Sequence, residues 1–161
     1  MIGPAALAEA EALLAHLRSR GLRVAMAESC TGGLVAAALT AIAGSSDVVE
    51  RGFVTYSNAA KTELLGVPAA LIEANGAVSE EVAWRMAEGA LAHSAADLAV
   101  AITGVAGPGG GSAEKPVGLV WFAAARRDGP IVTAQETFSG GRGEVRAAAV
   151  LVAFRLLRRL A

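Results

Sequence analysis

At 161 residues the chain is long enough to bury a core without disulfide or metal staples, and a composition of 54% hydrophobic and 18% charged residues excludes a disordered chain. A net charge of −1 with only seven aromatic residues argues against a nucleic-acid surface, and a single cysteine beside two histidines excludes a disulfide framework or a clustered metal site. Charges recur too often for a membrane span of about 18 apolar residues, and the N-terminus lacks the pattern of a signal peptide, so the expectation is one cytoplasmic domain over 1–161, metal-free and cofactor-free, partnered with neither nucleic acid nor membrane.

From Pro4 to Arg20 the residues Leu7, Leu13, Leu14 and Leu17 recur at helical spacing, with Pro4 suited to a first turn and Gly21 to a stop. "LRVAMAE" (22–28) reads as a strand, "AESCTGG" (27–33) as a tight turn, and the alanine-rich stretch after it as a helix closing at Gly44. The pattern repeats: "GFVTYS" (52–57) is a strand, Asn58 a cap, and "AAKTELL" a short helix stopped by Gly66. "PAALIEANG" gives another short helix and Ser79, with Glu80 and Glu81 behind it, opens a longer one. "DLAVAIT" (97–103) is a fully buried strand, the Gly/Pro-rich segment 104–116 a loop, and "VGLVWFAAA" and "IVTAQETFS" a hairpin turning at "RRDGP" before a last helix from Gly143 to Leu160. Strands alternating with helices, plus one late hairpin, predict a three-layer α/β/α sandwich around a mixed, mostly parallel sheet of about five strands.

Ligands of such sheets collect at the carboxyl ends of the strands, and "AESCTGG", "TYSNAAK" and "ITGVAGPGGGS" are three such exits. Ser29 sits at the first, where Thr31, Gly32 and Gly33 offer backbone N–H donors to an anion; the alternative is that Ser29 or Thr31 simply caps the helix. Glu28 has two open roles, pairing with an arginine or orienting a turn N–H. Cys30 is the rival nucleophile, but His16 and His93 both fall on amphipathic helix patterns and supply no base, so Cys30 reads as a buried small residue. The chain has twelve arginines and only two lysines, Lys61 and Lys115. A lysine, unlike an arginine, can lose its proton when desolvated, so Lys61 is a candidate general base, a solvated helix lysine being the other reading. Tyr56, the only tyrosine, precedes it by five residues; packing with its hydroxyl tied to a neighbour is its simpler role. The glycine loop is neither a Walker A element nor a dinucleotide fingerprint, though Gly107, Gly109, Gly110 and Ser112 could wrap a phosphate and Arg142 clamp it, against the plainer readings of a surface loop and a rim salt bridge.

Taken together, "AESCTGGLVAAALT", "AGSSDVVERGFVTYSNAAKTELLGV", "NGAVSEEVA", "ITGVAGPGGGSAEKPVGLVWFA" and "FSGGRGEVR" resemble the CinA C-terminal domain family over nearly the whole chain. That resemblance implies a nicotinamide-nucleotide amidohydrolase that converts nicotinamide mononucleotide to nicotinate mononucleotide and ammonia in pyridine nucleotide salvage. It implies Ser29 as nucleophile, Lys61 as base and Tyr56 as its helper, with a nucleotide as the small-molecule partner and a homodimer as the assembly. Thr31, Gly32, Gly33, Thr103, Gly107, Gly109, Gly110, Ser112 and Arg142 are the expected substrate-binding positions. The competing readings are a non-catalytic nucleotide-binding module and an amidase of the same dyad type with another substrate.

Overall fold

Strict alternation of side chains along the strands divides the molecule into two cores, one on each face of a single sheet. The computed structural model describes residues 2–161, in the order α1 (Pro4–Ser19), β1 (Val24–Glu28), α2 (Leu34–Thr40), β2 (Val49–Val54), α3 (Asn58–Leu65), α4 (Ala69–Asn75), α5 (Glu80–Ala92), β3 (Leu98–Gly104), β4 (Leu119–Arg126), β5 (Ile131–Thr137) and α6 (Arg142–Leu160). The sheet runs β2-β1-β3-β4-β5. β1 pairs in parallel with both β2 and β3, β4 runs antiparallel to β3, and β5 antiparallel to β4, so only β4 points against the other four strands. The expected α/β sandwich with a mixed sheet is the architecture observed.

The two faces are filled differently. Val24, Met26, Leu98, Val100, Ile102, Val120 and Phe122 face the layer of α1, α2 and α6. Ala25, Ala27, Ala99, Ala101, Ala123 and Ala125 face the other layer, where Val82, Ala83, Met86, Ala87 and Ala90 of α5 lie against them. The alanine rows of β1, β3 and β4 leave little side-chain bulk between α5 and the strand backbone, while the partly buried Phe53, Trp121 and Ile131 pack against the same cluster. The same helix accepts the end of α3 at Gly89, where an added Cβ would overlap the Leu65 carbonyl.

Element boundaries differ from expectation mainly at β2, which starts at Val49 and ends at Val54 rather than covering 52–57. Its limits are imposed by its partner, since the parallel ladder matches Val24 with Val49 and Glu28 with Val54. Thr55 donates its N–H to Glu28 C=O at 2.9 Å, and Tyr56 then leaves the sheet. Ser57, not Asn58, caps α3, its hydroxyl accepting from Ala60 N–H. α2 ends at Thr40 instead of Gly44, and the chain passes through a 3-10 turn at Ser45–Asp47 that Arg18 holds through the Gly44 carbonyl and the Asp47 carboxylate. Because β1, β2 and β3 are parallel, their carboxyl ends bring Glu28, Thr55 and Gly104 to one edge of the sheet.

Candidate active site

β1 is buried along its whole length and delivers Ser29, 9% exposed, to that edge, where the Ser29 N–H donates to Ile102 C=O at 2.9 Å. α3, which packs against α5, brings in Lys61. Lys61 is 1% exposed, its Nζ lies 3.0 Å from Ser29 Oγ, and the same nitrogen donates to Thr55 C=O at 2.7 Å. Burial pushes the Lys61 pKa below the ordinary lysine range. A neutral amine has two N–H donors and one lone pair, so with one N–H on Thr55 the lone pair is available to the Ser29 hydroxyl.

The turn between β1 and α2 is organised by two charged groups. Glu28 folds its carboxylate under α2, with Oε2 accepting from Gly33 N–H at 3.1 Å and Val35 N–H at 3.0 Å, and Oε1 from Ala36 N–H at 2.9 Å. Of the two roles open to Glu28 it takes the second, and it fills the helix N-terminus that an incoming anion would otherwise use. Gly32 and Gly33 adopt φ of 56° and 96°, a backbone region that favours glycine, and Gly32 N–H returns to Ser29 C=O at 3.0 Å. The donors expected at Gly32 and Gly33 are therefore engaged within the protein. Among the described residues the Thr31 N–H has no acceptor, and the Cys30 N–H has none besides its own sulfur. From α6, Arg146 binds the carbonyls of the same two residues, Nε to Cys30 at 3.1 Å and a terminal nitrogen to Thr31 at 2.9 Å. The Cys30 thiol, buried and next to Glu28, is pushed up to about 11, burial being the larger cause, so it stays protonated at neutral pH.

The remaining sequence-named residues form a second group on the rim. Tyr56 is 59% exposed, and its hydroxyl accepts from Arg142 at 2.6 Å; Arg142 also donates to Gly107 C=O at 2.8 Å. Tyr56 is therefore tied to a neighbour but not packed in the core, and it makes no hydrogen bond to Lys61, because the chain leaves β2 before residue 56 and turns its ring outward. Thr103 is buried and donates to Ala77 C=O at 2.8 Å, fixing the segment between α4 and α5 to the end of β3. Gly109, Gly110 and Ser112 lie exposed in the loop, where the Ser112 hydroxyl accepts from Lys115 N–H. No hydrogen bond joins these loop residues to Ser29 or Lys61. Two depressions, about 320 Å³ beside Asn58 and Ile72 and about 450 Å³ beside Leu71 and Trp84, contain none of the candidate residues. Among the described residues no three His, Cys, Asp or Glu side chains are grouped to hold a metal ion, and no helix is long and apolar enough to cross a membrane.

The family model for the CinA C-terminal domain matches residues 7–161. The chain belongs to that family. A nicotinamide-nucleotide amidohydrolase PncC of Enterobacter agglomerans is 59% identical to it over 132 residues, which are 82% of this chain and 80% of that protein. A CinA-like protein of Mycolicibacterium vanbaalenii is 58% identical over 139 residues, 86% of this chain but 33% of the relative, so this chain spans about a third of that longer protein. Among solved structures, the competence/damage inducible protein CihA from Agrobacterium tumefaciens superposes with a TM-score of 0.97 at 49% identity, covering 99% of this chain and 98% of that one.

Within this CinA-type site the sequence reading missed Arg146 and left Glu28 undecided. Arg146 was available as a signal, for it stands four residues after Arg142 and so on the same face of a helix. What no spacing conveys is that α6 crosses the β1–α2 turn.

Proposed function

We propose that the chain hydrolyses the carboxamide of nicotinamide mononucleotide to nicotinate mononucleotide and ammonia, as the name of its amidohydrolase relative suggests. The observation that carries this reading is a lysine amine, buried and lowered in pKa, at 3.0 Å from a serine hydroxyl at the end of the central strand. In the proposed reaction Lys61 takes the proton as Ser29 Oγ bonds to the amide carbon, and the carbonyl oxygen becomes an oxyanion held by the N–H groups at Cys30 and Thr31. Protonated Lys61 then gives its proton to the leaving nitrogen, the C–N bond breaks and ammonia departs. Water, deprotonated by the same amine, attacks the acyl carbon; the acyl–Oγ bond breaks, Lys61 returns the proton to Ser29 Oγ, and the acid product leaves and ionises to the carboxylate in solvent. Tyr56 and Arg142 would meet the ribose phosphate at the rim, since Arg142 retains donors beyond those used by Tyr56 and Gly107.

We further infer a cytoplasmic homodimer engaged in pyridine nucleotide salvage, in keeping with membership of the CinA C-terminal domain family. The test of the reaction is ammonia release from nicotinamide mononucleotide with a chelator present. The wild type should release ammonia, and Ser29→Ala should lose at least ~10³-fold of the rate. A folded Ser29→Ala variant with near-normal turnover would sink the assignment.

A further inference from the structure

Arg146 is a half-buried cation on the second turn of α6 whose hydrogen bonds all go to backbone, to the carbonyls of the two residues following Ser29. A trans peptide is planar, with its C=O and N–H pointing in opposite directions. The Cys30 carbonyl and the Thr31 N–H belong to one such plane. Holding that carbonyl toward α6 therefore turns the Thr31 N–H away from α6, and among the described residues that N–H meets no acceptor. The next plane behaves the same way: Arg146 holds the Thr31 carbonyl, and the Gly32 N–H on its opposite side points back to Ser29 C=O at 3.0 Å. A guanidinium on the carbonyl also draws electron density through the amide and makes its N–H a stronger donor, as in other polarised hydrogen-bond chains.

We propose that Arg146 is a positioning residue for the reaction: it aims and polarises the Thr31 N–H at the oxyanion formed on attack by Ser29, without itself touching substrate. This rests on the reading of Ser29 as the nucleophile of an amide hydrolase. The fold makes the arrangement possible because Arg142 and Arg146 are one turn apart on α6, the first reaching the rim and the second reaching under the turn. The group is specific to a guanidinium. Its fork reaches two carbonyls at once, whereas a lysine at the same place offers a point charge to one.

The experiment compares wild type, Arg146→Gln and Arg146→Lys in three readouts: kcat and KM for nicotinamide mononucleotide, thermal midpoint, and the rate at which a fluorophosphonate labels Ser29. The phosphonyl oxygen of that probe needs the same donors as an amide oxyanion, so labelling reports on them whatever the natural substrate is. Arg146→Gln should lower kcat per labelled site by ~10–100-fold, less than the ~10²–10³-fold loss of an oxyanion donor outright, with KM within about twofold. Labelling should slow in parallel, and Arg146→Lys should fall between the two. Where Arg146→Gln fails to fold, the lysine variant carries the comparison. Unchanged kcat and labelling in a folded variant, or a loss confined to KM, would overturn the proposal. A wild type that is labelled yet releases no ammonia points to a different substrate, and the labelling rates of the variants then decide the role of Arg146. A wild type that is not labelled at Ser29 removes the nucleophile and this proposal with it.

Discussion

Lys61 carries opposite consequences for activity and for stability. As the base it must be neutral, so activity should fall toward acid along a single ionisation, set by the lowered pKa that burial gives the amine. Lys61→Arg should cost ~10²–10⁴-fold and show no recovery at high pH, because a guanidinium keeps its proton. Rate profiles of the two proteins between about pH 5 and 9 check both statements, and a flat acid limb in the wild type would remove the lysine from the base role. The stability effect has the opposite sign. Unfolded, the lysine holds its proton up to about pH 10.4; folded, it gives the proton up earlier, so between those points the unfolded chain binds more protons and stability rises with pH. Urea melts at several pH values should show that rise in the wild type and its absence in Lys61→Met, and parallel curves would contradict it. Scarcity made this residue legible in the sequence: two lysines against twelve arginines marks a position where a guanidinium will not serve. Tyr56 was less legible, since its partner Arg142 lies 86 residues away and no local pattern reports such a meeting.

At the scale of the element, the short α2 has no N-terminal side-chain cap of its own at Gly33 and takes its cap from the last residue of the preceding strand. Three N–H groups converge on the Glu28 carboxylate, so Glu28→Gln would set an amide N–H₂ against one of them. The loss of charge and of one buried bond should cost about 2–3 kcal/mol. For a domain of this size that lowers the thermal midpoint by roughly 5–10 °C, read by calorimetry; an unchanged midpoint would deny Glu28 its capping role. The sequence located α2 because alanine runs favour helix, but not its cap, which lies outside the usual Ser/Thr/Asp position just before the first turn. β2 was displaced by three residues for a related reason. Its aromatic and β-branched residues 53–56 suit a strand, yet its limits follow from pairing with β1, a tertiary fact.

Over the whole molecule, layering was readable from alternation, whereas strand order was not, because nothing local says that β3 rather than β2 continues the sheet toward β4. Nor did the sequence announce how unequal the two faces are. Ala101→Leu would drive a branched side chain into the plane where α5 meets the sheet, and overpacking there should cost about 1–3 kcal/mol or more. Ile102→Val, the neighbouring position on the other face, should cost only about 0.5–1.5 kcal/mol. Chemical denaturation of both variants checks the contrast, and equal losses would deny it. The room for neutral drift in this chain is therefore one-sided. Substitutions that trade one large hydrophobe for another can accumulate under α1 and α6, while beneath α5 the alanine positions of β1, β3 and β4 have only glycine as a smaller replacement and take a larger one only by moving the helix.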